Sequence, residues 1–256
     1  MSQPVAIVTG AGKGIGRGIA VAFAEAGAHL ALAARTESDL EETAAAVRER
    51  GRRALCVKTD VTQTPDLERL VAATEEEYGR IDVLVNNAGG TGPRAALDTS
   101  ERFFEAALRF NVTQAFLLTK LVVPRMVATA GEGAVVNVSS RSSDMVQTSF
   151  VAYGAGKAAL NMMTRNLAPE FAPKVRINAI SVGGVATESL EVVLTNEALR
   201  KQFEANTPMK RPGTVEDIAA CALYLASPAA GWVTGKIFQV DGGTECPAIG
   251  VPTPPL

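Results

Sequence analysis

Short apolar runs alternate along the chain with longer stretches whose apolar residues recur at helical spacing. The runs are PVAIVTG (4–10), LALAA (30–34), RALCVKTD (53–60), IDVLVNNAG (81–89), GAVVNVSS (133–140), VRINAI (175–180) and KIFQVDGG (236–243). The first intervening stretch carries Ile15, Ile19 and Phe23 at four-residue intervals between Gly14 and Ala26. The second, ESDLEETAAAVRERG, is charged and closes at Gly51, and a third opens at Thr64-Pro65, where a first helical turn accepts proline. Runs that are apolar throughout suit strands buried on both faces. Strict alternation of the two patterns predicts an α/β fold, a doubly wound parallel sheet of about seven strands with helices on both faces. No linker, repeat or low-complexity tract divides residues 1–256, so one domain is expected, with the proline-rich tail PAIGVPTPPL (247–256) lying extended.

Two helical stretches are more apolar than a monomer surface needs. They are ALRFNVTQAFLLTKLVVPRM (107–126) and KAALNMMTRNLAPEFA (157–172), the latter with Leu160, Met163 or Thr164, Leu167 and Phe171 on one stripe. Part of each must cover its own sheet; the surplus points to a subunit interface.

Composition narrows the function classes. The 256 residues are 47% hydrophobic and 20% charged, with a net charge of -2, enough apolar content for a full core. No long basic run offers a footprint for nucleic acid or an anionic membrane. No apolar run reaches the roughly 18 residues of a membrane span, and the start MSQPVAIVTG lacks the features of an export signal. Cys56, Cys221 and Cys246 are odd in number and outside any CxxC, which fits a reducing compartment; a soluble cytoplasmic protein is expected. The single histidine, His29, stands at the start of an apolar run and reads as structural, so acid–base chemistry must come from other side chains and no metal site is expected.

Two motifs supply that chemistry. VTGAGKGIG joins the first strand to the first helix, and Gly10, Gly14 and Gly16 permit a tight turn facing the helix N-terminus, a seat for a pyrophosphate. Its spacing is G-x-x-x-G-x-G. Further on, Tyr153 and Lys157 stand one helical turn apart, on one face of a helix, just after the serine-rich end of GAVVNVSS.

With TGAGKGIG, NNAG (86–89), the ordered set Asn111, Ser140, Tyr153 and Lys157, and DGG (241–243), the whole chain resembles a single-domain short-chain dehydrogenase/reductase. NNAGGTGP and SPAAGWVTGK resemble most the 7α-hydroxysteroid dehydrogenase branch and related oxidoreductases. The resemblance implies a Rossmann-type sheet and a catalytic tetrad of Asn111, Ser140, Tyr153 and Lys157. Ser140 would hold the substrate oxygen, with Ser139 as competitor for that role, and Asn111 would connect Lys157 to solvent through a water. It implies cofactor contacts from Gly10, Lys13, Gly14, Ile15, Gly16, Arg35, Thr36, Asp60, Val61, Asn87, Ala88, Gly89, Val185 and Thr187, with Tyr153 and Lys157 reaching the cofactor as well. Asn86 and Asn87 could instead be turn residues, and Asp60 a cap. Alcohol–ketone interconversion moves a hydride with the cofactor and leaves the proton to the protein. A lysine charge at about 4 Å is worth roughly 4 kcal/mol at an effective dielectric of ~20, or about three pKa units, so Lys157 is expected to bring the Tyr153 phenol toward neutrality.

Three further expectations follow. Val182 replaces the proline usual after the sixth strand, which leaves the nicotinamide's placement less constrained. Residues 188–211 interrupt the β/α rhythm with a helical pattern and are expected to form a substrate lid, with Leu190, Val193, Leu194 and Phe203 covering an apolar small molecule beside Ser142–Phe150. Ala34 stands where NAD-preferring enzymes place an acid, Arg35 follows, and Lys13 lies in the glycine loop; these favour NADP(H), with NAD(H) as the alternative, while Glu37 starts the next helix. A hydroxysteroid-like substrate is expected. The rival readings are a 3-oxoacyl carrier-protein reductase, whose acidic partner would need Lys174, Lys210 and Arg211, and a non-catalytic nucleotide sensor. The resemblance and the apolar helices together imply a homotetramer.

Overall fold

The computed structural model describes residues 3–251; the last five residues of the proline-rich tail lie outside the described residues. Its strands are β1 (Val5–Thr9), β2 (His29–Ala34), β3 (Ala54–Lys58), β4 (Val83–Asn86), β5 (Gly133–Ser140), β6 (Val175–Val182) and β7 (Ile237–Val240). They form one sheet in the order β3-β2-β1-β4-β5-β6-β7, and every neighbouring pair is parallel. The sheet grows one way from β1 to β3 and the other way from β4 to β7, so the ends of β1 and β4 flank the crevice where such folds bind ligands.

The helices are α1 (Gly14–Glu25), α2 (Glu37–Glu49), α3 (Thr64–Tyr78), α4 (Glu101–Leu108), α5 (Gln114–Ala130), α6 (Val151–Phe171), α7 (Glu191–Thr195), α8 (Glu197–Asn206) and α9 (Val215–Ala226). Alternate strand residues face opposite sides. Val8, Leu32 and Val136 meet Ile19 and Phe23 of α1, Leu40 of α2 and Ile218 of α9, whereas Ile7, Leu84 and Val135 meet Leu70 of α3, Leu118 and Val122 of α5, and Leu167 of α6. The expected doubly wound sheet, with a core on each face, is the observed one.

Four local outcomes differ from the sequence reading. First, α4 and α5 join through a π-helical turn, Arg109–Thr113, into one continuous helix. By length and composition alone, a stretch within that 30-residue helix is apolar enough to cross a membrane, although the raw run is broken by polar residues. Its inner face is committed to the sheet, with Ala115, Leu118, Val122 and Met126 fully buried. Second, the stripe on α6 is spent internally: Leu160, Thr164 and Leu167 are buried, and the exposed apolar residues of α5 and α6 are Phe116, Val127, Val151 and Met162. Third, β6 runs two residues beyond VRINAI. Val182 pairs with Val240, and the Gly183 N–H continues the ladder to the Val240 carbonyl at 3.0 Å. A β-branched residue with an N–H extends a strand where proline would end it. Fourth, Phe203 of α8 is buried against the chain's own backbone: a Cβ on Gly184 would fall 2.5 Å from its ring. Phe203 therefore anchors the 188–211 segment and does not face a ligand.

His29 is structural, as read: its Nδ1 accepts from the Arg53 N–H at 3.0 Å and its ring stacks on Tyr78.

Polar side chains fix how the middle strands sit against their helices. Asn86 and Asn137 are register partners in β4 and β5. The Asn86 amide donates to Asn137 Oδ1 at 2.9 Å and to Thr119 Oγ1 of α5 at 3.2 Å, while the Asn137 amide donates to Thr164 Oγ1 of α6 at 2.9 Å. Asn86 is thus a core residue and not a turn residue.

At the end of β5, Arg141 is buried, and its guanidinium pairs with Asp241 at 2.8 Å, Asp144 at 2.9 Å and Glu245 at 3.5 Å. It ties the residue after Ser140 to the DGG segment after β7. Replacing it would strand the nearly buried Asp241 carboxylate, and removing one partner of a buried pair costs about 3–5 kcal/mol. Arg141→Met is expected to lose about that much in urea unfolding, and a loss under ~1 kcal/mol would show that the pair does not hold the β5 and β7 ends together.

Candidate active site

The C-terminal end of β5 and the first turns of α6 bring three of the four resembling residues together. Strand alternation turns Ser139 and Ser140 to opposite sides. Ser139 is buried and donates to the Lys157 carbonyl of α6 at 3.4 Å. Ser140 accepts from the Ser142 N–H at 3.2 Å and lies close enough to the Tyr153 hydroxyl to lower its pKa. Ser139 thus faces the α6 backbone, and Ser140 is the serine beside the tyrosine.

Lys157 lies one turn beyond Tyr153 and is 3% exposed. Its Nζ donates to the Val138 carbonyl at 2.8 Å and stands 5.8 Å from the centroid of the Tyr153 ring. Burial pushes the ammonium down to about 8. The Tyr153 hydroxyl moves the opposite way from the sequence expectation. Burial raises it above the usual phenol value, and the nearby Ser140 hydroxyl offsets part of that rise. In a dry site the desolvation of each charged form dominates, and the lysine turns to a backbone carbonyl.

Asn111 occupies the π turn, an interruption that often marks functional positions. Its Oδ1 accepts from the Gly90 N–H at 2.9 Å, and its amide donates to the Ala107 carbonyl at 2.9 Å and to Thr91 Oγ1 at 3.2 Å. Gly89 separates it from Lys157: a Cβ there would lie 3.0 Å from Asn111 Oδ1 and 3.1 Å from Lys157 Nζ.

The glycine loop fits a dinucleotide. Gly10 and Gly14 have φ of +64° and +52°, in the region that favours glycine. A Cβ on Gly16 would overlap the Gly10 carbonyl, and one on Gly14 would touch Thr187 at 3.3 Å. Ile15 and Gly16 lie in the first turn of α1, which has no acidic residue and no side-chain cap from Lys13. Its N–H groups and positive end therefore suit a pyrophosphate. The loop is held from behind by two residues that sequence reasoning missed. Arg17 Nε donates to the Gly12 carbonyl at 2.9 Å, and Thr43 Oγ1 to the Ala11 carbonyl at 2.9 Å. Both read in the sequence as ordinary helix positions, with no spacing signal to mark them.

Asn87, Ala88 and Gly89 run alongside this loop. The Asn87 amide donates to the Thr9 carbonyl at 2.9 Å, and Thr9 Oγ1 accepts from the N–H groups of Asn87 and Ala88 at 3.0 Å each. Asp60 caps its own turn, accepting from the Thr62 N–H at 2.9 Å, and Val61 beside it is buried. Arg35 and Thr36 are exposed between β2 and α2, and Arg35 has no ion pair among the described residues. Lys13 is engaged, 3.2 Å from Glu188 and 3.8 Å from Asp39. Glu37 opens α2 and lies 3.7 Å from Lys58. Val185 is buried and bridges to Gly213, and Thr187 closes that turn facing Gly14.

Comparison with known proteins agrees with this geometry. A family model described as enoyl-(acyl carrier protein) reductase matches residues 10–245. An uncharacterized oxidoreductase of Mycobacterium tuberculosis is 43% identical over 256 residues, covering 100% of this chain and 97% of its own. The 7α-hydroxysteroid dehydrogenase of Escherichia coli is 36% identical over 239 residues, covering 93% and 92% of the two chains. A solved 7α-hydroxysteroid dehydrogenase, complexed with NADH and 7-oxo glycochenodeoxycholic acid, superposes with a TM-score of 0.91 at 34% identity over 95% of each chain. Matched along nearly its whole length, the chain belongs to the short-chain dehydrogenase/reductase family and is an NAD(P)-dependent oxidoreductase acting on CH–OH groups.

Proposed function

We propose that the enzyme interconverts a secondary alcohol and a ketone on an apolar, hydroxysteroid-like molecule, with NADP(H) preferred over NAD(H). The observation that carries the chemistry is the proximity of Ser140 to the Tyr153 hydroxyl, with buried Lys157 one turn behind it. A bound nicotinamide dinucleotide supplies or accepts the hydride. Ser140 holds the substrate oxygen with a hydrogen bond that strengthens as negative charge grows there. Tyr153 gives its hydroxyl proton to that oxygen in reduction and takes it back in oxidation. Lys157 holds a positive charge behind the phenol and would hold the cofactor's ribose hydroxyls. Asn111 fixes Gly90 and Thr91, next to Gly89 beside the lysine, and Thr187 and Val185 would hold the carboxamide.

The hydroxysteroid reading draws support from the E. coli relative and from the acid bound in the related structure. The 188–211 segment forms one wall of the substrate site with partly buried Leu190, Val193 and Leu194. The carrier-protein alternative is weakened by the basic residues it needs: Arg211 is paired with Asp217 and Lys210 donates to the Ala205 carbonyl.

The cofactor preference rests on Arg35 beside Ala34. A guanidinium without an ion pair at the end of β2 suits a 2′-phosphate, and no carboxylate occupies the position that would bond a 2′-hydroxyl. Lys13 adds less than its sequence position suggests, because Glu188 and Asp39 already share its charge. Three unpaired cysteines suit a reducing cytoplasm. For assembly, exposed Phe116, Val127, Val151 and Met162 on α5 and α6, with Trp232 and Tyr224 beside β7, provide two apolar faces for a symmetric homotetramer.

Tyr153→Phe should lower turnover on a ketone panel, followed by nicotinamide absorbance, by on the order of 10³-fold while cofactor affinity changes little; near-wild-type rates would sink the mechanism. Arg35→Ala should raise KM for NADPH much more than for NADH, and equal effects on both would remove the phosphate site. Light scattering should report a mass near four times the 26.7 kDa chain, and a monomer mass at micromolar concentration would refute the tetramer.

A further inference from the structure

One exposed cation beside Tyr153 has no use in the mechanism above. Arg94 sits in the loop after β4, five residues beyond Gly89, and lines a narrow cleft with Thr91, Phe103, Ser149 and Tyr153. Its backbone is fixed there: the Arg94 N–H donates to the Ser149 carbonyl at 2.7 Å. Ser149 itself is held at φ 65°, a conformation that costs a non-glycine residue energy and that clusters at ligand sites. The next residue, Phe150, meets the Tyr153 ring edge-on at 6.1 Å, so the Arg94 loop is three links from the reacting hydroxyl.

The exposed side chain lies over an aromatic ring. Its guanidinium carbon lies 4.3 Å from the centroid of the Phe103 ring, and Nη1 reaches the Asp98 carbonyl only at 3.5 Å. Among the described residues no carboxylate pairs with it, in contrast to Arg17, Arg141 and Arg211, each of which holds an acid within 3 Å. Stacking uses the face of a guanidinium and leaves its in-plane N–H fork directed outward, the geometry that receives a carboxylate in two parallel hydrogen bonds. The crevice is lined by Phe103, Phe150, Thr91 and Ser149 together with Arg94 and Tyr153.

We infer that Arg94 binds a carboxylate carried by the substrate away from its reacting carbon, so that the preferred substrates are apolar keto or hydroxy acids and not neutral ketones. This rests on the alcohol–ketone reading above and specifies its substrate class.

The test compares each acid with its own methyl ester, which removes the charge and keeps the reacting carbonyl. Two pairs are used, a 7-oxo bile acid and a medium-chain keto acid, with wild type, Arg94→Met and Arg94→Lys. Methionine keeps an apolar stem against Phe103, and the unfolding midpoint of each variant confirms that it folds. Wild type should favour acid over ester by about tenfold or more in kcat/KM, the range expected of a hydrogen bond to a charged group. The preference should sit in KM. Arg94→Met should bring the acid-to-ester ratio close to one, and Arg94→Lys should keep part of it. A wild-type ratio near one, or a ratio unchanged in Arg94→Met, overturns the inference. If only the aliphatic pair is reduced, the steroid reading fails and Arg94 is judged on that pair. If neither is reduced, the ketoreductase reading falls and this inference with it.

Discussion

Burying one ammonium is the constraint around which the site is built. Lys157 is almost wholly enclosed and has the Val138 carbonyl as its hydrogen-bond partner, at 2.8 Å. A buried cation without partners drives its own deprotonation, and here burial brings it to about 8. Keeping it useful demands an accurate surround. β5 must end where its carbonyl meets Nζ, α6 must start close enough to place Tyr153 and Lys157 on the same side, and Gly89 must lack a side chain because a Cβ would stand 3.1 Å from the nitrogen. The π turn serves the same end, since it brings Asn111 against Gly90 and Thr91 and so walls the lysine in.

The cofactor side is organised by backbone carbonyls that polar side chains hold in place. Thr9 and Asn87 tie the end of β1 to the end of β4, while Arg17 and Thr43 grip the Ala11 and Gly12 carbonyls. The loop thus presents its N–H groups forward because its carbonyls are satisfied behind. The substrate side is tied by charge. Arg141 joins the turn after Ser140 to the segment after β7, and the chain beyond it continues to Ala248, whose carbonyl accepts from Asn206 of α8. The serine turn, the C-terminal segment and α8 are thus linked to one another.

Much of this was legible in the sequence. Seven apolar runs became seven parallel strands, because burial on both faces of a sheet leaves an unmistakable composition. Glycine spacing located the loop, and the interval from Ser140 to Tyr153 pointed to the serine that lies beside the phenol. What escaped has a common cause: it depends on contacts between distant segments. Arg17 and Thr43 look like surface helix residues until α1 and α2 converge behind the loop. Phe203 looks like a ligand-facing aromatic until Gly184 leaves it a slot. Leu160 and Leu167 look surplus until the sheet covers them. The π turn leaves no periodic trace, since one extra residue in a long helix shifts the pattern without breaking it. Val182 misled in the other direction, as a missing proline lengthened β6 and left the turn at Gly183 and Gly184 in place.

The two shifted groups explain each other better than either alone. Desolvation moves Lys157 down and Tyr153 up, so the site resists placing an isolated charge on either one. A pair of opposite charges is different, because the attraction that water would screen is several times larger in a dry cleft. With the lysine at about 8, the ammonium forms near neutrality while the phenol stays protonated, and a phenolate is helped by the positive charge behind it. Ser140 adds to this, since its proximity to Tyr153 pulls the phenol back down. In the proposed reaction Ser140, Tyr153 and Lys157 would share the handling of the proton at the substrate oxygen, with the ammonium one turn behind the phenol.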